Sequence, residues 1–178
     1  MNKSEIRKKI LEIRKNYQVK NQKINFKEIL NILKERKIKK KIIGGYYPFN
    51  YEIDTIHILE KFEKKNYIIS LPKIRKNSQM DFFQWSFKDP LTINKYGIPE
   101  PISTKIQYPN ILLVPLVAYD NDLNRLGYGG GFYDRYIKKI RKKKDVITIG
   151  FSYSFQKIKQ IKINKHDIKL DFVLTNKK

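Results

Sequence analysis

The 178-residue chain has no cysteine, which excludes disulfides, thiol catalysis and thiolate metal sites. No apolar run approaches the length of a membrane span. No apolar stretch of signal-peptide type follows Met1 to Arg7, so a cytoplasmic protein is expected. Acidic residues are few, 17 against 39 basic ones, and glycine occurs only eight times. Hydrophobic residues make up 40% and aromatics 13%, with 12 Tyr and 10 Phe. That composition belongs to a folded chain rather than a disordered one. The length suits a single domain over residues 1–178 with a core of its own.

The formal charge of +22 raises the question of a polyanionic partner. The excess is carried by 32 Lys against 7 Arg, alongside abundant Ile and Asn. These residues share A- and T-rich codons, so genome composition accounts for the charge. The lysines are scattered, apart from the runs Lys39–Lys41 and Arg141–Lys144, which read as solvated loop or helix ends. Diffuse attraction to RNA at low salt follows from the charge, but no specific nucleic-acid partner is expected.

Scarce glycine makes its one cluster informative. Four of the eight glycines fall at 127, 129, 130 and 131, within Asn124-Arg125-Leu126-Gly127-Tyr128-Gly129-Gly130-Gly131-Phe132-Tyr133-Asp134-Arg135. Glycine is used where the backbone takes φ > 0 or approaches a ligand closely. The cluster follows an apolar run, Ile111 to Val117, of the kind found in strands buried on both faces. It precedes a helical pattern with apolar residues at 133, 136, 137 and 140. A strand, a glycine loop and a helix start together aim backbone N–H groups at an anion, usually a phosphate. Arg125 and Arg135 add charge, and Asp134 is placed to reach a phosphate-bound Mg²⁺. The spacing fits neither the Walker loop nor the dinucleotide fingerprint, and a plain flexible turn is the alternative.

Elsewhere the pattern alternates between helix and strand. Ile6, Ile10, Ile13 and Tyr17 predict a helix over 4–20 with Ser4 as N-cap. Lys3 and Arg7 lie one turn apart at its start. Phe26, Ile29, Leu30 and Leu33 predict a second helix at 26–36, entered through an Asn25/Glu28 capping box. Ile42 to Tyr47 reads as a strand, followed by a helix with Ile58, Leu59 and Phe62 buried and Asp54 at its start. Tyr67 to Leu71 reads as a strand ended by Pro72, with Lys73 and Arg75 at its carboxyl end, where ligands sit in open α/β sheets. Met80–Phe87 and Val146–Phe151 are further strands, and the prolines of 96–101 predict a rigid segment outside any ladder. Strands separated by helices indicate an α/β fold: one three-layer α/β/α domain with a largely parallel central sheet.

The glycine segment, preceded by Val114-Pro115-Leu116-Val117-Ala118-Tyr119-Asp120, resembles the signature of the 5-formyltetrahydrofolate cyclo-ligases. Further matches occur in order along the chain: Lys3-Ser4-Glu5-Ile6-Arg7, Tyr47-Pro48 with Glu52-Ile53-Asp54-Thr55, Tyr96-Gly97-Ile98-Pro99-Glu100-Pro101, Ile149-Gly150-Phe151 with Gln156, and His166-Asp167 through Thr175. The resemblance implies ATP- and Mg²⁺-dependent conversion of 5-formyltetrahydrofolate to 5,10-methenyltetrahydrofolate, releasing ADP and phosphate. It implies ATP contacts from Lys3, Ser4, Glu5, Ile6 and Arg7, and from Arg125 through Tyr133 (Leu126, Gly127, Tyr128, Gly129, Gly130, Gly131 and Phe132 between them). Arg125 is the expected catalytic cation. Glu52 is implied as a folate contact, with Tyr47 and Tyr96 as candidate walls of the same pocket, and Asp134 and Asp167 as Mg²⁺ ligands. His166-Asp167 has no second histidine or nucleophile near it in sequence that would support a zinc or triad reading. Some members carry Arg or Lys where this chain has Tyr128 and Gly130, which leaves phosphate recognition to the backbone and to Lys3, Arg7 and Arg125. A monomer is expected. A non-catalytic ATP- or folate-binding paralogue and a basic nucleic-acid-binding protein are the alternatives.

Overall fold

The computed structural model describes residues 1–17, 23–39, 41–76 and 78–176. Residues 18–20 of the expected first helix, and Lys40 of the basic run, lie outside these residues; Tyr17 lies within them and is the helix C-cap, so the helix ends at Asn16.

Helix α1 (Lys3–Asn16) is entered through Asn2, not Ser4. The Asn2 side chain accepts from the Ser4 and Glu5 amides, and Glu5 accepts in return from the Asn2 amide. Glu5 completes a reciprocal box that Ser4, with Arg7 three residues on, has no carboxylate to form. Strand β1 (Ile42–Gly44) follows helix α2 (Phe26–Glu35), whose N-cap Asn25 accepts from the Lys27 amide. Helix α3 (Ile56–Glu63) begins where Asp54 accepts from the Ile56 amide, the favourable place for a carboxylate.

Strand β2 (Ile68–Ile74) runs straight through Pro72. Its pairing with β1 stops at Ser70, so beyond that point β2 has one ladder and one free side. A proline is tolerated there because the missing N–H faces no partner. Strand β3 (Met80–Trp85) pairs antiparallel with β2. Strands β4 (Leu91–Ile93) and β5 (Pro99–Pro101) form a separate ribbon. Its two prolines occupy alternate positions, which share one side of the strand, so Glu100 between them still pairs. The expectation of a non-ladder segment is corrected accordingly.

Strands β6 (Ile106–Gln107), β7 (Ile111–Val114), β8 (Ala118–Tyr119), β9 (Arg125–Leu126), β10 (Ile147–Ser152) and β11 (Phe172–Thr175), with helix α4 (Phe132–Arg141) and a 3-10 turn (Ser154–Gln156), complete the described elements. The main sheet has the order β11-β10-β7-β1-β2-β3-β6. Its first five strands are parallel, and β3 and β6 add an antiparallel margin.

Alternation in β7 divides the core. Ile111 and Leu113 face α2 and α3 together with Ile43, Ile69 and Phe62. Leu112 and Val114 face α4, packing with Tyr136, Ile137 and Ile140. Helices therefore cover both faces, giving the three layers expected. Helix α1 packs on the small β8–β9 hairpin through Ile10, Val117, Ala118 and Leu126. That hairpin springs from the carboxyl end of β7 and carries α1 to the same end of the sheet.

Candidate active site

One cavity of about 510 Å³ opens at the carboxyl ends of the parallel strands, between α1, the glycine loop and the β4–β5 ribbon. Such an edge is where α/β sheets place ligands. Each wall has a local cause.

The loop wall starts from Asp120. Its two carboxylate oxygens accept from the Asp122, Asn124 and Ile161 amides and from the Asn124 side chain. Burial opposes its charge, but these hydrogen bonds prevail and hold the carboxyl below the usual range. The pinned turn sets β9, and with it Arg125. The Arg125 guanidinium is buried, donates to the Pro115 carbonyl at 3.1 Å, and pairs with Asp134 at 2.9 Å. Leu126 through Asp134 then form the wall. Gly129 has φ +107 and Gly131 φ +64, conformations that strain any side-chain-bearing residue. Gly131 is also the N-cap of α4 and offers no side chain to cap it. Without a side-chain cap, the first-turn amides of α4 are of the kind that can bind an anion.

Helix α1 supplies cations. Lys3 and Arg7 both line the cavity, one turn apart as expected. Arg7 Nε donates to the Gly127 carbonyl at 2.7 Å, which anchors the guanidinium beside Gly129. Lys3 pairs with Asp167, whose carboxylate also accepts from the Asn164 amide. Burial opposes the Asp167 charge, but Lys3, the Asn164 amide and Arg125 outweigh it and depress the carboxyl. Ser4, Glu5 and Ile6 do not line the cavity. Ser4 is exposed in the first turn, Glu5 closes the capping box, and Ile6 packs against the α1–hairpin core.

The opposite wall comes from the loop after β1. Tyr47, Phe49 and Glu52 line it together with Tyr46. Asn50 and Tyr51 both adopt positive φ, and the Glu52 amide donates to the Phe49 carbonyl at 3.1 Å. This is a turn of type I′ sense, and it points the Glu52 side chain back into the cavity. There Glu52 accepts from the Phe49 amide and from the Tyr128 hydroxyl, each at 2.9 Å. Burial is the dominant influence on Glu52 and raises its carboxyl to about 7, against the Phe49 amide, Arg14 and Tyr128. Tyr96 sits at the rim on the ribbon turn, where Asn94 Oδ1 accepts from the Tyr96 and Ile98 amides. Lys73 and Arg75 point away from the cavity onto Phe83, while the alternate residues Pro72 and Ile74 line it.

Sequence reasoning missed Arg14. Ile13 was expected on the buried face of α1, yet it is 37% exposed and Arg14 is 1% exposed. The inward stripe is Lys3, Arg7, Ile10, Arg14, with spacings of four, three and four. Arg14 donates to the Leu116 carbonyl and to the Tyr128 hydroxyl. The same spacing of cations was present in the sequence as a signal.

For a divalent metal, the carboxylates Asp134 and Asp167 lie on the same side of the cavity, joined through the Ile168 amide, which donates to Asp134 at 3.2 Å. Each uses one oxygen for its cation and an amide. Each keeps its other oxygen without a hydrogen bond among the described residues. No group of three or more His, Asp or Glu side chains able to hold a metal occurs among those residues. This donor set fits Mg²⁺, which binds through one or two carboxylates and keeps waters and phosphate oxygens for the rest. Tyr133 completes the interior. Its hydroxyl is buried without a partner among the described residues, and burial holds it as the neutral phenol, a donor awaiting an acceptor.

The model of the 5-formyltetrahydrofolate cyclo-ligase family matches residues 1–176. A 5-formyltetrahydrofolate cyclo-ligase of Haemophilus influenzae is 31% identical over 152 residues, covering 82% of this chain and 80% of its own. The solved 5,10-methenyltetrahydrofolate synthetase of Aquifex aeolicus superposes with a TM-score of 0.78 at 29% identity, over 100% of this chain and 91% of its own. The Mycoplasma pneumoniae synthetase gives 0.74 at 26% identity over 98% of each chain.

Proposed function

The chain belongs to the 5-formyltetrahydrofolate cyclo-ligase family, and on that premise we propose that it converts 5-formyltetrahydrofolate to 5,10-methenyltetrahydrofolate with consumption of ATP. The observation that carries the reading is the cavity in which the glycine loop and its cations face Glu52, with Tyr128 bridging the two. A nucleotide binder would need the first half, and a pterin binder the second. Here they share one chamber.

In this account the ATP phosphates lie along Gly127–Gly131 and the open amides of α4, beside Arg7, Lys3 and Arg125. The pterin lies toward Tyr47, Glu52 and the ribbon turn with Tyr96. Glu52, ionised, accepts hydrogen bonds from pterin N–H groups, and the Tyr133 hydroxyl supplies a donor between the two ligands. The formyl oxygen attacks the γ-phosphorus and ADP leaves. N10 then adds to the activated carbon and loses its proton. Phosphate departs with the former formyl oxygen, leaving the methenyl cation. Phosphoryl transfer of this kind asks mainly for positioning and charge neutralisation. Arg125, fixed by Pro115 and Asp134, is placed to supply that charge. Asp134 and Asp167 would hold Mg²⁺ through their free oxygens, and the ion would neutralise charge on the transferred phosphoryl group.

The test is joint occupancy. Titration of the protein with 5-formyltetrahydrofolate in the presence of Mg²⁺ and a non-hydrolysable ATP analogue should give a ternary complex. Mutual exclusion of the two ligands would contradict a chamber that holds both.

A further inference from the structure

We infer that Arg14 is a positioning residue for the folate half of this site: through the Tyr128 hydroxyl it holds the Glu52 carboxylate in its accepting orientation. This rests on the reading of Glu52 as a pterin contact.

The geometry carries the inference. Arg14 is the largest fully buried side chain among the described residues. Burying a guanidinium is expensive unless it is paired, and an apolar residue would serve the core better. Among the described residues no carboxylate lies within ion-pair distance of Arg14. It donates instead to the Leu116 carbonyl and the Tyr128 hydroxyl, with its Cζ 5.6 Å from the Tyr128 ring centroid. Tyr128 accepts that bond and passes its own proton donation to Glu52 Oε1 at 2.9 Å. A phenol that accepts from a cation becomes a stronger donor on its other side. Guanidinium, phenol and carboxylate thus form one chain from α1, across the glycine loop, to the β1 loop.

The other groups facing Glu52 do not offer this. Tyr46 and Tyr133, from the β1 loop and α4, are held as neutral phenols by burial, and Tyr153 is raised by burial as well. Among the described residues, Arg14 is the cation that acts on Glu52, and it favours the charged form. Arg14 therefore does two things at a distance. It fixes the rotamer of Tyr128, and it keeps Glu52 ionised toward lower pH than burial alone would allow.

The test uses the full chain as wild type, Arg14→Met, Arg14→Lys and Tyr128→Phe, with thermal unfolding as the check on folding. Carbon-detected NMR of labelled glutamate follows the Glu52 carboxyl, assigned by its loss in Glu52→Gln. The ligand-free Glu52 midpoint should move to higher pH in Arg14→Met and Tyr128→Phe and stay nearer wild type in Arg14→Lys. At pH 7 the KM for 5-formyltetrahydrofolate should rise about 10- to 100-fold in Arg14→Met, the span of a hydrogen bond to a charged group, with the KM for ATP within about twofold. Folded Arg14→Met and Tyr128→Phe proteins whose Glu52 titrates as in wild type would overturn the inference. Should the wild-type protein prove inactive on the folate, the functional reading fails, and the ligand-free titration still decides the Arg14–Glu52 link.

Discussion

The Tyr128 hydroxyl donates to Glu52 Oε1 at 2.9 Å across 76 residues of sequence. One residue belongs to the glycine loop, the other to the loop after β1 that we propose contacts the folate. Their contact joins the two half-sites through one hydrogen bond, so Tyr128 is the residue whose change should be felt in both.

Glu52 gives a pH prediction with a definite sign. Its carboxyl is raised to about 7, so the accepting form appears as pH rises through that value. The kcat/KM for 5-formyltetrahydrofolate should climb along the same limb, and Glu52→Gln should lower it and flatten the limb. Stability runs the other way. A raised carboxyl contributes to folding fully below its ordinary value of 4.5, and that contribution is lost as pH rises through 7. Thermal unfolding should find Glu52→Gln stabilised relative to wild type at pH 8, with the gap shrinking toward pH 5.

Arg125 and Asp134 form a largely buried pair, with side chains 4% and 19% exposed. Arg125→Ala leaves Asp134 beside an empty guanidinium site and should cost about 3 kcal/mol in urea unfolding. Asp134→Asn keeps an acceptor for Arg125 and the Ile168 amide and should cost roughly 1 kcal/mol. Turnover should fall at least about 100-fold in both. Normal ATP-dependent turnover in either purified variant would contradict the role assigned to it.

Lys3 and Asp167 tie the start of α1 to the 164–168 turn. Because the Asp167 carboxyl is depressed, its contribution to stability is present above its ordinary value of 3.8 and is lost as pH falls below it. Lys3→Met should unfold at lower temperature than wild type at pH 7, and the two curves should converge near pH 2. Its KM for ATP should rise while that for the folate holds.

Tyr51 is exposed and sits at φ 59, a conformation disfavoured for a residue with a Cβ. Tyr51→Gly should stabilise the protein by up to about 1 kcal/mol, the left-handed strain relieved less the entropy of glycine. Unfolding in urea measures it. A loss of stability would show that the Tyr51 ring, rather than its backbone, matters to the turn.

Much of this was legible because it is local. The glycine cluster, the alternation of Ile111 to Val114 and the stripe of α4 each declare their element within a dozen residues. Glu52, Asp134 and Asp167 were found by motif, and the structure gathers them into one cavity. What escaped depends on partners distant in sequence. Arg14 was passed over because a periodicity built on apolar residues assigns a cation to solvent, whereas the Leu116 carbonyl and Tyr128 make its burial possible. Pro72 looked like a strand end because nothing local shows that β1 stops pairing at Gly44. The prolines of β5 misled for the same reason: their register against β4 is a tertiary fact. Ser4 lost the cap to Asn2 because Glu5 gives Asn2 a reciprocal partner.

The most direct test of the account mixes the purified protein with 5-formyltetrahydrofolate, ATP and Mg²⁺ and follows the near-ultraviolet absorbance of the methenyl product, with ATP omitted or EDTA added in parallel. A rise that requires both nucleotide and metal, and that fails in Asp134→Asn, is the expected result. Folded wild-type protein that forms no methenyl product under these conditions would contradict it.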